Sequence, residues 1–248
     1  MLYDTPLEDI LFLDIETVPE VYAYEDLEPH LQELFAQKTA YRRKEDQSPG
    51  DFYEQAGIWA EFGKVITVGF GAYSPTEQKW VISSVSDADE RRLLEKTARI
   101  LREFDQKVRE RDARDSSRER RAYLCAHNGK EFDFPFLARR MLIRQVKLPD
   151  LLKVQGKKPW ETPFCDTLQL WRFGDYKHYV SLELLAKILG LETPKNDISG
   201  KDVARVFYEE NDHARIDRYC RQDVKTLIQV FLRMREEALP GPEEWAFR

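Results

Sequence analysis

The sequence predicts an α/β fold, a sheet of mixed strand direction with helices packed on it. Two patterns carry that expectation. β-Branched and aromatic runs recur at 10–16, 64–73, 79–85 and 122–127, each bounded by turn residues. Between and after them, apolar residues fall at helical spacing over about 88–108, 131–146, 181–191 and 213–238.

The first strand lies in "LFLDIETVPE", where Leu11, Phe12, Leu13 and Ile15 head into a core. The stretch from about 20 to 60 is polar and dotted with aromatics. Its segment "YRRKEDQSPGDFYEQAG" is expected to be a partly ordered loop. "KVITVGFGAY" and "KWVISSV", separated by "SPTEQ", read as a hairpin extending the sheet. The helix over 88–108 follows, with Leu93, Leu94, Ile100, Leu101, Phe104 and Val108 on one side. The run "RERDARDSSRERR" alternates in charge and reads as a solvated helix end and loop. "AYLCAH" is a strand and "EFDFPFLARRMLIRQV" a helix. "SLELLAKILGL" is a helix with Ser181 as N-cap and Gly190 at its stop. No internal repeat or long Gly/Ser linker interrupts the 248 residues, so one domain is expected over 1–248, with its core at about 10–235.

A hydrophobic content of 42% supports a real core, and 34% charged residues a heavily charged surface. The formal charge of −6 argues against a scaffold that binds nucleic acid through a basic field alone. It leaves room for an enzyme that engages phosphate locally. Cys125, Cys165 and Cys220 form no CxxC pair, so neither a disulfide framework nor a zinc site is expected. A reducing, cytoplasmic setting fits best. No segment reaches the length of a membrane span, and the start "MLYDTPLEDI" lacks a basic region followed by an apolar one.

Acids stand where such a fold could use them. Side chains alternate along a strand, so Asp14 and Glu16 project to one side, roughly 6.6 Å apart, while Leu13 and Ile15 take the other. Such a pair suits Mg²⁺ or Mn²⁺, whose charge would offset two carboxylates in an apolar segment. In "AHNGKEFDFPFLARR", the NGK turn leads to Asp133 in the first turn of a helix, where free N–H groups favour an anion. Phe132, Phe134 and Phe136 surround it, a mixture of core and possible base-stacking surface. In "YCRQDVKTLIQVF", Tyr219 and Asp223 are four apart on a helix and share a face. Each feature alone has an ordinary structural explanation; the three together have a much poorer one.

In this order the motifs resemble the DEDD superfamily of 3′–5′ exonucleases in its tyrosine (DEDDy) subgroup. The first motif is Asp14-Ile15-Glu16. The second begins at Asn128 and carries Phe132, Asp133, Pro135 and Leu137. The third runs from Tyr219 to Asp223, and Arg218 stands where the histidine subgroup would place its histidine. Within the subgroup the chain is most similar to the stand-alone, PolB-like predicted 3′–5′ exonucleases, related to the proofreading domains of B-family DNA polymerases. "EFGKVITVGFG", "CDTLQLWRFG" and "SLELLAKILGLETPKNDISGKDV" extend the resemblance over nearly the whole chain.

The resemblance implies a ribonuclease H-like fold, a mixed five-stranded sheet flanked by helices. It implies an exonuclease module without polymerase palm, fingers and thumb, which uses two divalent cations to hydrolyse single-stranded DNA from its 3′ end. Asp14 would bridge both ions, Glu16 and Asp223 would complete the site of the first, and Asp133 would hold the second through water. Tyr219 would orient the attacking water. Substrate contacts are implied for Asn128, Phe132, Ile15, Thr17 and His178, and a DNA polymerase or repair complex as partner; the segment "RFGDYKHY" over 172–179 also suits substrate contact, because aromatics stack unpaired bases without reading sequence. Two other readings remain open: a ribonuclease D-like exoribonuclease, and a catalytically silent docking module. The second is disfavoured because all four acids and the tyrosine are present. The basic residues Arg139, Arg140, Arg144 and Lys147 read as an ordinary helix surface rather than a strand approach, and Cys220 as a small buried residue.

Overall fold

The computed structural model describes residues 3–114, 120–192 and 198–248, with the side chains of 112–114 set aside. The alternating-charge run 109–121 and the stretch 191–203 lie partly outside the described residues.

The long strand β1 (Ile10–Pro19) pairs antiparallel with β2 (Gly63–Ser74), and β2 with β3 (Lys79–Ser86). Between β1 and β2 lie α1 (Pro29–Thr39) and α2 (Pro49–Phe52). Helix α3 (Glu90–Arg114) then crosses to β4 (Tyr123–Ala126), which lies parallel to β1 on its free side. Helix α4 (Asp133–Ile143) leads on to β5 (Phe164–Asp166), parallel to β4. After α5 (Thr167–Trp171), α6 (Leu182–Ile188) and α7 (Val203–Arg205), the long α8 (His213–Met234) precedes β6 (Trp245–Phe247), parallel to β3. The sheet order is β5-β4-β1-β2-β3-β6.

This is the expected mixed sheet flanked by helices, but with six strands rather than five. The terminal β6 and the short β5 span three residues each, too few to display the alternation that marks a strand in sequence.

β1 is central and buried on both faces. Leu11, Leu13 and Ile15 pack with Leu94 and Leu101 of α3 and with Phe134, Leu137 and Met141 of α4. On the opposite face Ile10 and Phe12 meet Val224, Leu227, Ile228 and Phe231 of α8. Phe12 sits edge-on to Phe231 at 5.1 Å and to Trp80 at 5.8 Å. The strand's apolar half thus anchors two helix layers, and Asp14 and Glu16 continue the α8 face beyond Phe12.

The segment 41–57 is more ordered than a partly ordered loop. Ser48 and Asp51 form a reciprocal capping box that starts α2. Phe52, Tyr53 and Ala56 are buried with Leu27, Phe35 and Phe62 in a separate aromatic cluster. Each element there is too short to show a periodic face, so only the assembled cluster displays the pattern.

The helix over 181–191 is realised as α6, with Ser181 Oγ accepting from the Leu184 N–H at 3.2 Å and Gly190 at φ +69°. Arg140 departs from the surface reading. It is almost fully buried, donating to Glu90 Oε1 at 2.8 Å, to the Ala60 carbonyl at 2.8 Å and to Glu20 Oε2 at 2.7 Å. Arg144 pairs with the same two glutamates, while Arg139 and Lys147 are exposed. The first residue of α3, the end of β1 and the last turn of α4 are thereby joined by charge.

Candidate active site

Asp14 lies opposite Gly69 in the β1–β2 ladder, and a bulge follows Glu16. Gly69 and Gly71 explain how α8 comes so close. A Cβ at Gly69 would stand 2.8 Å from Val224 Cγ2 and 2.9 Å from Cys220 Sγ; one at Gly71 would stand 2.7 Å from Ile228. The bare backbone of "GFG" lets α8 lie on the sheet, with Cys220 directly against β1. Its thiol donates to the Asp14 carbonyl at 3.5 Å and to Asp14 Oδ2 at 3.6 Å. One ligand atom each from Asp14, Glu16 and Cys220 lies within 4.8 Å of the others.

Asp133 reaches the same place from the other side of β1. The chain leaves β4 and turns at Asn128, which takes a left-handed φ of +61°, a conformation asparagine tolerates better than most residues. Gly129 follows in a crowded spot, where a Cβ would come within 2.4 Å of Ala126 Cβ. The turn is clamped by Asp166 at the end of β5. Its carboxylate accepts from the N–H groups of Asn128 and Lys130, each at 3.0 Å, and caps α5 through Leu168 at 2.9 Å and Gln169 at 3.3 Å. Asp133 then opens α4, buried, and its carboxylate accepts from its own N–H and from that of Ile15. That bond ties the second acid motif to the first.

α8 supplies the last pair. Ile216, Cys220, Val224 and Leu227 face inward, and Tyr219 and Asp223 ride the edge of that face, joined by a side-chain hydrogen bond.

The electrostatics are unfavourable as they stand. Burial, then the charges of Glu16, Asp133 and Asp223, push the Asp14 carboxyl far up. Burial and the same neighbourhood raise Glu16. Burial brings Asp133 to about 7 and Asp223 to about 6. Among the described residues no Lys or Arg pairs with any of the four. Desolvated carboxylates that repel one another are costly unless protonated or matched by a cation. The Tyr219 phenol is raised by burial and by Asp223, Glu16 and Asp14, so it stays neutral. Cys220 is raised likewise, chiefly by burial, and stays a thiol.

The residues expected to contact substrate divide. Asn128 sits at the turn into the acid cluster. Phe132 is half-buried and packs on Phe136 at 5.4 Å, against the core. Ile15 contributes its N–H to Asp133 while its side chain is core. Thr17 Oγ1 donates to the Gly57 carbonyl at 2.8 Å, tying the aromatic cluster to β1. His178 is exposed and paired with Asp175 at 3.1 Å. Its neighbour Tyr179 is the one close enough to Asp133 and Asp166 to feel their charges. Sequence reasoning passed over Asp166, although an Asp just before "TLQLW" is an N-cap signal. It also passed over His127, whose ring bonds to Thr167 and Val180 lie 40 and 53 residues away.

Fold and site together define the class: a ribonuclease H-like domain of the exonuclease kind, with its carboxylates gathered beside the central strand. The chain belongs to the family of predicted 3′–5′ exonucleases related to the exonuclease domain of PolB, whose model matches residues 61–238. The match takes in Asp133, Tyr219 and Asp223, whereas Asp14 and Glu16 precede it. The fold is also similar to part of the family B DNA polymerase from the hyperthermophilic archaeon Pyrobaculum calidifontis, with a TM-score of 0.51 at 15% identity. That likeness covers 88% of this chain and 23% of the polymerase. No curated protein matches the sequence.

Proposed function

We propose that the chain is a metal-dependent 3′–5′ exonuclease that hydrolyses single-stranded DNA to nucleoside 5′-monophosphates. One observation carries the reading: four carboxylates lie within reach of one another's charge, Glu16 and Asp133 buried and Asp14 and Asp223 partly so, with no Lys or Arg paired to them among the described residues, beside a neutral tyrosine.

The donor set fits divalent metal. Hard oxygen ligands suit Mg²⁺ or Mn²⁺, and the mutual repulsion that raises these acids is what a cation relieves. Asp14, Glu16 and Asp223 would hold one ion, and Asp14 and Asp133 a second. When bound, such a pair lowers the pKa of water and stabilises the charge on the leaving 3′ oxygen.

The chain's own residues do the rest. Tyr219, neutral and bonded to Asp223, orients the attacking water rather than deprotonating it. Ile15 N–H and the first turn of α4 hold the Asp133 carboxylate in place. Cys220 fixes Asp14 from beneath. Asn128 and Phe132 border the site, where an unpaired terminal nucleotide would lie. The reading suits trimming of 3′ ends in proofreading-like or repair work beside a DNA polymerase.

The test is digestion of 3′-labelled and 5′-labelled single-stranded DNA and RNA with Mn²⁺, Mg²⁺ or EDTA, with Asp14→Ala alongside. A metal-dependent ladder from the 3′ end of DNA, absent in the variant, is expected. Faster cleavage of RNA would transfer the reading to an exoribonuclease. No cleavage of either would leave a binding module.

A further inference from the structure

Between α5 and α6 the chain makes a turn, Arg172–Val180, that sets aromatic rings in solvent. Phe173 is 92% exposed, Tyr176 76% and Tyr179 64%. The turn is nonetheless built. Phe173 and Gly174 take left-handed φ values of 43° and 93°, and the Asp175 N–H donates to the Arg172 carbonyl at 2.7 Å. Arg172 lies over the Tyr176 ring at 5.9 Å and reaches back to Glu131 at 3.8 Å.

The other end is held by His127, the residue before Asn128. Its Nε2 lies 2.8 Å from the Val180 carbonyl, which can only accept, so Nε2 carries the proton. Nδ1 then accepts from the Thr167 hydroxyl at 2.9 Å. Burial lowers the ring's pKa and keeps this neutral tautomer. Tyr179 stands edge-on to the same imidazole, with centroids 6.4 Å apart.

We propose that Arg172–Val180 is a stacking rim for unpaired bases of the substrate strand, with Tyr179 the platform nearest the acids and His127 its positioning residue. The proposal rests on the exonuclease reading for what the strand undergoes, but not for its binding. Three features favour single-stranded nucleic acid as the occupant. The rim adjoins the turn that leads to Asp133, since His127, next to Asn128, holds Val180 and stands against the Tyr179 ring, and Arg172 reaches Glu131. The rim's rings are interleaved with Lys177, an exposed cation that suits phosphate. The rings are exposed on a polar turn rather than lining an apolar groove, which leaves them open to stack bases without sequence readout.

The test uses the full chain and a single-stranded DNA oligomer ending in 2-aminopurine, bound in EDTA so that nothing is cut. Fluorescence reports stacking and anisotropy reports affinity. Tyr179→Ala should weaken binding roughly tenfold and abolish the quenching, while Tyr179→Phe stays within about twofold of wild type. His127→Phe should weaken binding severalfold and speed hydrogen exchange across 172–181, with the melting temperature of the chain little changed. Steady-state kinetics with Mn²⁺ should show the same losses in KM rather than kcat.

Unchanged binding and quenching in Tyr179→Ala would overturn the rim and leave those rings to a protein partner. Unchanged exchange in His127→Phe would overturn the positioning role. A wild type that binds with quenching but cleaves nothing would sink the exonuclease reading and leave the rim standing.

Discussion

A Cβ on Gly69 would stand 2.9 Å from the sulfur of Cys220, and that sulfur in turn lies 3.6 Å from Asp14 Oδ2. The missing side chain on β2 is therefore part of how the acid on β1 is held. Gly69→Ala should push α8 outward, since Val224 crowds the same point at 2.8 Å. A loss of about 1–3 kcal/mol is expected by chemical denaturation, with nuclease activity falling further than stability explains.

The acid cluster sets a pH dependence whose sign is opposite to that of a salt bridge. Asp133 and Asp223 are raised to about 7 and about 6, and Asp14 and Glu16 are raised as well, in each case chiefly by burial. Groups raised in the folded state contribute stability that is full below the ordinary aspartate value of 3.8 and lost as pH rises through the folded values. In EDTA the melting temperature should therefore fall between about pH 5 and 8. Mn²⁺ should reverse the fall, and Asp14→Asn should flatten it in EDTA. A melting temperature in EDTA that holds level over this range would refute the repulsion.

Tyr219→Phe should keep the fold, because the ring is retained, yet lose the hydroxyl that bonds Asp223. A drop in kcat of up to about a hundredfold is expected, the scale of a misplaced reactant. Because the phenol is raised by burial and the nearby acids, the wild-type pH–rate profile should show no break from its ionisation below pH 10. Such a break, absent in the variant, would instead mark Tyr219 as a base.

Arg140 holds the far side of the sheet. Arg140→Ala leaves Glu90 buried with only Arg144 to answer it, and should cost about 3–5 kcal/mol. Burial alone would raise Glu90, but the bonds and charge of Arg140 and Arg144 override it and hold the carboxyl below its ordinary 4.5. Its contribution is present above that value and lost as pH falls through the lower, folded one. Acid unfolding should accordingly begin at higher pH in the variant, as followed by circular dichroism.

What was legible in the sequence is what is local. Asp14 and Glu16 stand out because strand alternation puts them on one side; Asp133 because a turn precedes it; Tyr219 and Asp223 because four residues make a helical turn. Ser181 announces its cap for the same reason. Arg140 was misread because its partners, Glu90 and Glu20, are 50 and 120 residues away, and nothing in "LARRM" hints at them. β5 and β6 are strands only because a neighbour offers them an edge. Tyr179 was legible only as one aromatic of "RFGDYKHY", whereas His178, the more conspicuous residue type, was singled out although the structure pairs it with Asp175.

Asp166 binds four backbone N–H groups, two in the turn that leads to Asp133 and two at the start of α5, which runs on into the aromatic rim. One side chain is thus the common origin from which both are laid out. The chain carries a built-in gauge: Asp166 fixes the start of both arms while His127 and Arg172 hold the ends of the rim, so the carboxylates and the rings keep their span.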